Sequence, residues 1–145
     1  KKTLNDSGKK INYVFEDNAD WSTETAEKYF ELFLKTGQKA DAVACNNDDM
    51  ALGIVNACEN NNISLDSVPV IGVDATEKGC KSIAEGKMAF TIYQSGSGQG
   101  EYLIKAAIRL AHGDSLGGLD YLSDDGKYVW VPFEKVDKNN VSKYQ

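Results

Sequence analysis

Four times between Ile11 and Ala111 a short β-branched or aromatic run gives way, within a few residues, to a stretch with helical apolar spacing. No other feature of this 145-residue chain constrains its fold as tightly. Parallel strands need long crossovers, and a helix is the usual one, so β-α repeats with short joints imply an α/β parallel-sheet sandwich with right-handed connections. The expected strands are residues 11–15, 42–45, 68–73 and 89–93. The first expected helix is capped by Ser22 or Thr23 and runs to Lys35, because Ala26, Tyr29, Phe30, Phe33 and Leu34 form one apolar stripe. A second helix follows Asn46-Asn47-Asp48-Asp49, carries Ala51, Ile54, Val55 and Cys58 on one side and ends in Asn60-Asn61-Asn62; a third spans 76–85, and a fourth spans 100–111 with Leu103, Ala106, Ala107 and Leu110 on one face.

Beyond Ala111 the pattern changes. Asp124-Asp125-Gly126 reads as a turn and residues 128–133 as a strand, with no room for a crossover helix before it. At the other end, residues 4–8 read as the last turn of a helix stopped by Gly8. A domain rarely begins that way, so the chain is expected to be a piece of a longer protein.

An apolar content of 41% excludes a disordered chain. No run reaches the roughly 18 apolar residues of a membrane-spanning helix. A net charge of −6 argues against a nucleic-acid partner. The single histidine, His112, sits at the end of a helix and suits the dipole there, so a His-based relay or metal cluster is not expected. Cys45, Cys58 and Cys80 are an odd set without ligand spacing and read as buried thiols. The Gly96-Ser97-Gly98-Gln99-Gly100 segment lacks the lysine and spacing of a phosphate loop and reads as a flexible turn. No nucleophile elbow is present, and the adjacent Asp48 and Asp49 cannot face one substrate as an acid/base pair. The chain is therefore not read as an enzyme, and no cofactor or metal is expected.

Ligands of open parallel sheets bind beyond the carboxyl ends of the strands. Applied here, that rule gathers Asp17, Asp20, Trp21, Asn46, Asn47, Asp48, Asp49, Asp74, Gln94 and Ser95 at one edge. Amides and carboxylates pair well with vicinal hydroxyls, and an indole face suits the C–H surface of a pyranose. Each also has a plainer use: Asp48, Asp49 and Asp74 as helix caps, Asn47 as a turn residue, Trp21 as a staple on the next helix. Together they describe a neutral sugar site.

Residues 41–53 (Asp-Ala-Val-Ala-Cys-Asn-Asn-Asp-Asp-Met-Ala-Leu-Gly), Val70-Ile-Gly-Val-Asp74-Ala, Thr91-Ile-Tyr-Gln94, Val129-Trp-Val-Pro-Phe133 and Val136-Asp-Lys-Asn-Asn140 resemble type I periplasmic binding proteins, nearest in pattern to the galactose/glucose-binding members of ABC transporters. The resemblance implies a clamshell with a hexose held between two lobes. It places residues 1–91 and 132–145 in the C-terminal lobe, and 92–131 in a crossover segment of an otherwise missing N-terminal lobe. It makes Asn47, Asp74 and Gln94 sugar-hydroxyl ligands and Trp21 the stacking aromatic; Gln94 stands where those proteins usually carry Asn. Asp41 matches a carboxylate that completes a calcium site in some members, but the calcium loop would lie upstream, so no intact metal site is expected.

The implied partners are a monosaccharide and an ABC permease, with no nucleic acid, and with self-association or a missing N-terminal fragment covering the helix at 100–111. The implied location is periplasmic or extracellular, with any lipid anchor in the missing upstream region. The alternative is the effector-sensing domain of a LacI/GalR-type repressor.

Overall fold

The computed structural model describes residues 6–145. The helix end expected at residues 4–8 lies partly outside them; Asp6 is helical and Gly8 is left-handed at φ 72°.

Three helices form where the spacing put them. Helix α1 spans Thr23–Lys35, α2 spans Asp48–Asn60 and α3 spans Glu77–Ala84. Each starts at a polar residue with extended backbone whose side chain accepts an N–H of the first turn: Ser22 from Thr25, Asn47 from Met50 and Thr76 from Gly79. Gly37 and Gly86, at φ 75° and 78°, turn the chain out of α1 and α3. Helix α1 rides along α2, where Glu27 accepts from the side-chain amides of Asn56 and Asn60 at 3.2 and 2.9 Å.

The sheet has strand order β1-β2-β3-β4, with β1 at Val43–Ala44, β2 at Val70–Ile71, β3 at Phe90–Gln94 and β4 at Phe133–Asp137. β1, β2 and β3 are parallel, as the crossovers require, and β4 closes the sheet antiparallel to β3 with Phe90 opposite Asp137 and Gln94 opposite Phe133. Phe30, Phe33, Ile54, Val55, Val70, Cys80, Ile83, Val136 and Val141 form the core between sheet and helices.

Three expectations are corrected. Residues 11–15 are not a strand of the sheet. Their composition favours extended pairing, but pairing needs a neighbouring ladder; Ile11, Tyr13 and Phe15 instead stay about 40% exposed, with Phe15 resting on Phe33 at 5.2 Å between rings. The last strand is 133–137, not 128–133. Pro132 has no N–H to donate, and β3 ends at Gln94, so residues before Phe133 have no strand of the sheet to pair with. A lone bridge joins Leu122 to Val129 there.

Helix α4 spans Gly96–Ala111 and begins four residues earlier than its expected start at Gly100. The glycine-rich segment is its first turn, made possible by Ser95, whose hydroxyl accepts the Gly98 N–H at 3.0 Å. No residue from 92 to 135 is buried, and Leu103, Ile104, Ile108 and Leu110 of α4 are 54–70% exposed. The apolar face foreseen for this helix is thus uncovered.

Candidate functional site

The carboxyl ends of β1, β2 and β3 lie side by side, and each leads into a loop that caps a helix. Backbone bonds fix the spacing of these ends: Cys45 N–H donates to Ile71 O at 2.9 Å and Asp74 N–H to Ile92 O at 2.8 Å.

Asn47 is buried as the cap of α2, its Oδ1 accepting from Met50 N–H at 2.9 Å. The cap expected of Asp48 or Asp49 thus falls to Asn47, which reads in the sequence as a turn residue. Its side-chain carbonyl is engaged in the cap.

Asp74 is exposed at the end of β2, at φ 109°, and Ala75 follows at φ 53°. Two consecutive residues with side chains in this region are unusual, because the left-handed conformation crowds Cβ. The carboxylate of Asp74 accepts from Gln94 Nε2 at 3.0 Å, so the structure brings these two residues together. Desolvation lifts the Asp74 carboxyl above its ordinary value; the charges of Asp48 and Asp49 act the same way, while the Gln94 hydrogen bond opposes them.

Trp21 stands at φ 62° after Asp20 at φ 49°, and is 65% exposed. It does not staple onto α1. Among the described residues no hydrogen bond or ring contact joins it to Asn47, Asp74 or Gln94. It shares their end of the domain because it precedes the N-terminus of α1, as Asn47 precedes that of α2.

The residue that sequence reasoning placed wrongly is Asp48. Its carboxylate does not cap its own helix; Asn47 does that. Asp48 is fully buried and accepts from Thr76 N–H at 2.7 Å, Thr76 Oγ1 at 3.1 Å and Thr91 Oγ1 at 2.5 Å. Thr91 Oγ1 in turn accepts Ala75 N–H at 3.3 Å. Gly72 and Gly79 make the room: a Cβ on either would come within 2.2 or 2.3 Å of the Asp48 carboxylate oxygens. The signal available beforehand was a glycine inside a strand, which often marks the close approach of another group.

Asp41 is exposed, and among the described residues no group of three or more His, Cys, Asp or Glu side chains is placed to hold a metal ion. No described helix is long and apolar enough to cross a membrane. The edge carries carboxylates without a facing lysine or arginine among the contacts just described. Such a surface repels phosphates and accepts hydroxyl donors.

Comparison with known proteins agrees with this geometry. Residues 1–115 match the family of the periplasmic binding protein domain, and the chain belongs to that family. Its open, mostly parallel α/β sheet is that fold. A putative rhizopine-binding protein of Rhizobium meliloti is 32% identical over 97% of this chain and 42% of its own length. A D-galactose/methyl-galactoside binding periplasmic protein of Haemophilus influenzae is 27% identical over 97% of this chain and 42% of its own. An ABC transporter solute-binding protein from Bacillus halodurans, solved with bound myo-inositol, superposes with a TM-score of 0.77 at 31% identity, covering 99% of this chain and 46% of that one. The chain spans under half the length of these relatives. Rhizopine, galactose and myo-inositol stand side by side among their names, so the comparison does not single out the galactose/glucose members.

Proposed function

We propose that this chain is a non-enzymatic sugar- or polyol-binding module, forming most of one lobe of a solute-binding protein that serves an ABC importer in the periplasm or at the cell surface. The observation that carries this reading is the Asp74–Gln94 pair, a carboxylate and an amide bonded at 3.0 Å across neighbouring strand ends and open to solvent. Beside it the amide of Asn47 offers donors, and the exposed indole of Trp21 offers an apolar face for a ring. This set reads neutral vicinal hydroxyls rather than a charged group.

Residues 1–91 and 132–145 are assigned to this lobe, and 92–131 to an excursion toward a second lobe. The pairing of Gln94 with Phe133 supports that division, because the chain leaves and re-enters at adjacent points. The lack of any buried residue from 92 to 135 supports it too. A ligand held between two lobes would close them by a hinge, and a permease would read the closed form. The exposed face of α4 is the place where a fragment of the other lobe, or a second copy, would sit. The family match and relatives give no support to the alternative of a repressor's sensing domain.

The test is calorimetric titration of the chain with myo-inositol, D-galactose, D-glucose, D-allose and D-ribose, following tryptophan fluorescence in parallel. Saturable binding of one of them is expected, weakened about tenfold or more by Asp74→Ala or Gln94→Ala, as loss of a hydrogen bond to a charged or buried partner entails. No response to any of these compounds would overturn the reading.

A further inference from the structure

The buried carboxylate of Asp48 performs a task that its own helix does not need. It is fully buried, in a slot bounded by Gly72 and Gly79, and its hydrogen bonds reach two other elements. Oδ2 takes both the N–H and the hydroxyl of Thr76, at 2.7 and 3.1 Å. Oδ1 takes the hydroxyl of Thr91 on β3, which itself holds Ala75 N–H. Asp74 and Ala75, the consecutive residues with positive φ, come immediately before Thr76. Such a conformation persists only where its surroundings over-determine it. Here the bonds to Thr76 and, through Thr91, to Ala75 meet at one carboxylate, beneath the pair that Asp74 makes with Gln94.

We propose that Asp48 is a positioning residue: it clamps the loop 74–76 in its left-handed form and so keeps the Asp74 carboxylate facing Gln94 and the ligand. The proposal rests on the sugar-binding reading of this edge, but the clamp itself is testable without a ligand. Asp48→Asn keeps the volume and replaces one acceptor oxygen by a donor NH2. Thr76 N–H, which can only donate, keeps the single remaining oxygen, and Thr91 Oγ1 must turn from donor to acceptor toward the new NH2 while it still accepts Ala75 N–H, so its own proton loses the carboxylate.

The experiment compares wild type, Asp48→Asn, Thr91→Val, and Asp48→Asn combined with Ala75→Gly. Thr91→Val removes one anchor and leaves the carboxylate in place, a milder form of the same break. Amide hydrogen exchange is read at Ala75 and Thr76 against Val55 in α2. Affinity is read by calorimetry with whichever of myo-inositol, D-galactose or D-allose binds wild type best. The expected result for Asp48→Asn and for Thr91→Val is at least about tenfold faster exchange at Ala75 and Thr76 with Val55 unchanged, and affinity weakened about tenfold. Ala75→Gly should return much of the affinity lost in Asp48→Asn, because glycine holds φ 53° without strain. A merely structural carboxylate would speed exchange at Val55 equally and would not be rescued by glycine. Unchanged exchange at Ala75 and Thr76 in both single variants would overturn the proposal. If wild type binds none of the three compounds, the sugar-binding reading fails, and the exchange comparison still decides the clamp.

Discussion

The side-chain amide of Gln94 donates to the carboxylate of Asp74, and this bond ties the end of β3 to the loop that follows β2. Both groups are therefore oriented in the free chain, which would lower the ordering cost of binding under the proposed function. The bond uses the amide N–H of Gln94, a side chain one methylene longer than Asn.

The raised Asp74 carboxyl makes a pH prediction. A carboxyl that holds its proton more tightly in the folded state favours folding below its ordinary value of 3.8. That contribution is lost as pH rises through the raised value. Asp74→Asn, which cannot ionise, should therefore gain stability relative to wild type as pH climbs from below 3.8 to neutrality. Thermal melts across that window check it. A difference that stays flat or shrinks with rising pH would contradict the desolvation of Asp74.

Two glycine-to-alanine changes should act with opposite sign. At Gly79 the new methyl would meet the Asp48 carboxylate, at 2.3 Å from Oδ2, and overpacking of this kind costs about 1–3 kcal/mol. At Gly100 a Cβ meets nothing within 4 Å inside α4, and alanine should stabilise that helix by about 0.5–1 kcal/mol. Urea denaturation of both variants, compared at constant m-value, measures the contrast.

Buried and exposed isoleucines should differ as sharply. Ile83 is 1% exposed in the core, so Ile83→Ala should cost about 2–5 kcal/mol. Ile104 is 60% exposed on α4, so Ile104→Ala should change stability by no more than about 0.5 kcal/mol in this chain. A large loss at Ile104 would mean that its face is covered in solution.

Burial pushes the Cys45 thiol up to about 12. The thiolate is the reactive form, so Cys45 should resist alkylation by iodoacetamide at neutral pH while folded and react once denaturant exposes it. Mass spectrometry of digested samples reads this site separately from Cys58 and Cys80. Rapid labelling of Cys45 in the folded chain would count against the desolvation of its thiol.

The parts of this fold that were legible in the amino-acid sequence are those decided locally. Ser22 caps its helix through a bond only three residues long, and the apolar stripe of α1 needs only its own spacing; the caps of α2 and α3 were assigned to neighbouring aspartates, whereas Asn47 and Thr76 make them. What depends on distant partners was not legible. Residues 11–15 look like a strand in isolation, but pairing is a property of two segments. The start of α4 was misplaced because glycine is a poor helix former, and Ser95 outweighs that in context. At the candidate site, the strand-end rule found Asp74 and Gln94, whereas Asp48 was misread because Thr76 and Thr91 lie 28 and 43 residues away.

The antiparallel β4 has a consequence for synthesis. Val136 and Val141 complete the core, and β4 alone covers the far side of β3. A nascent chain that has grown only to Pro132 therefore carries a β3 whose outer backbone groups face water along its whole length. Such an edge invites pairing with another chain. Ribosome-bound intermediates of this protein should accordingly be prone to pairing through β3 until a stretch of only nine residues, Phe133 to Val141, has emerged to cover it.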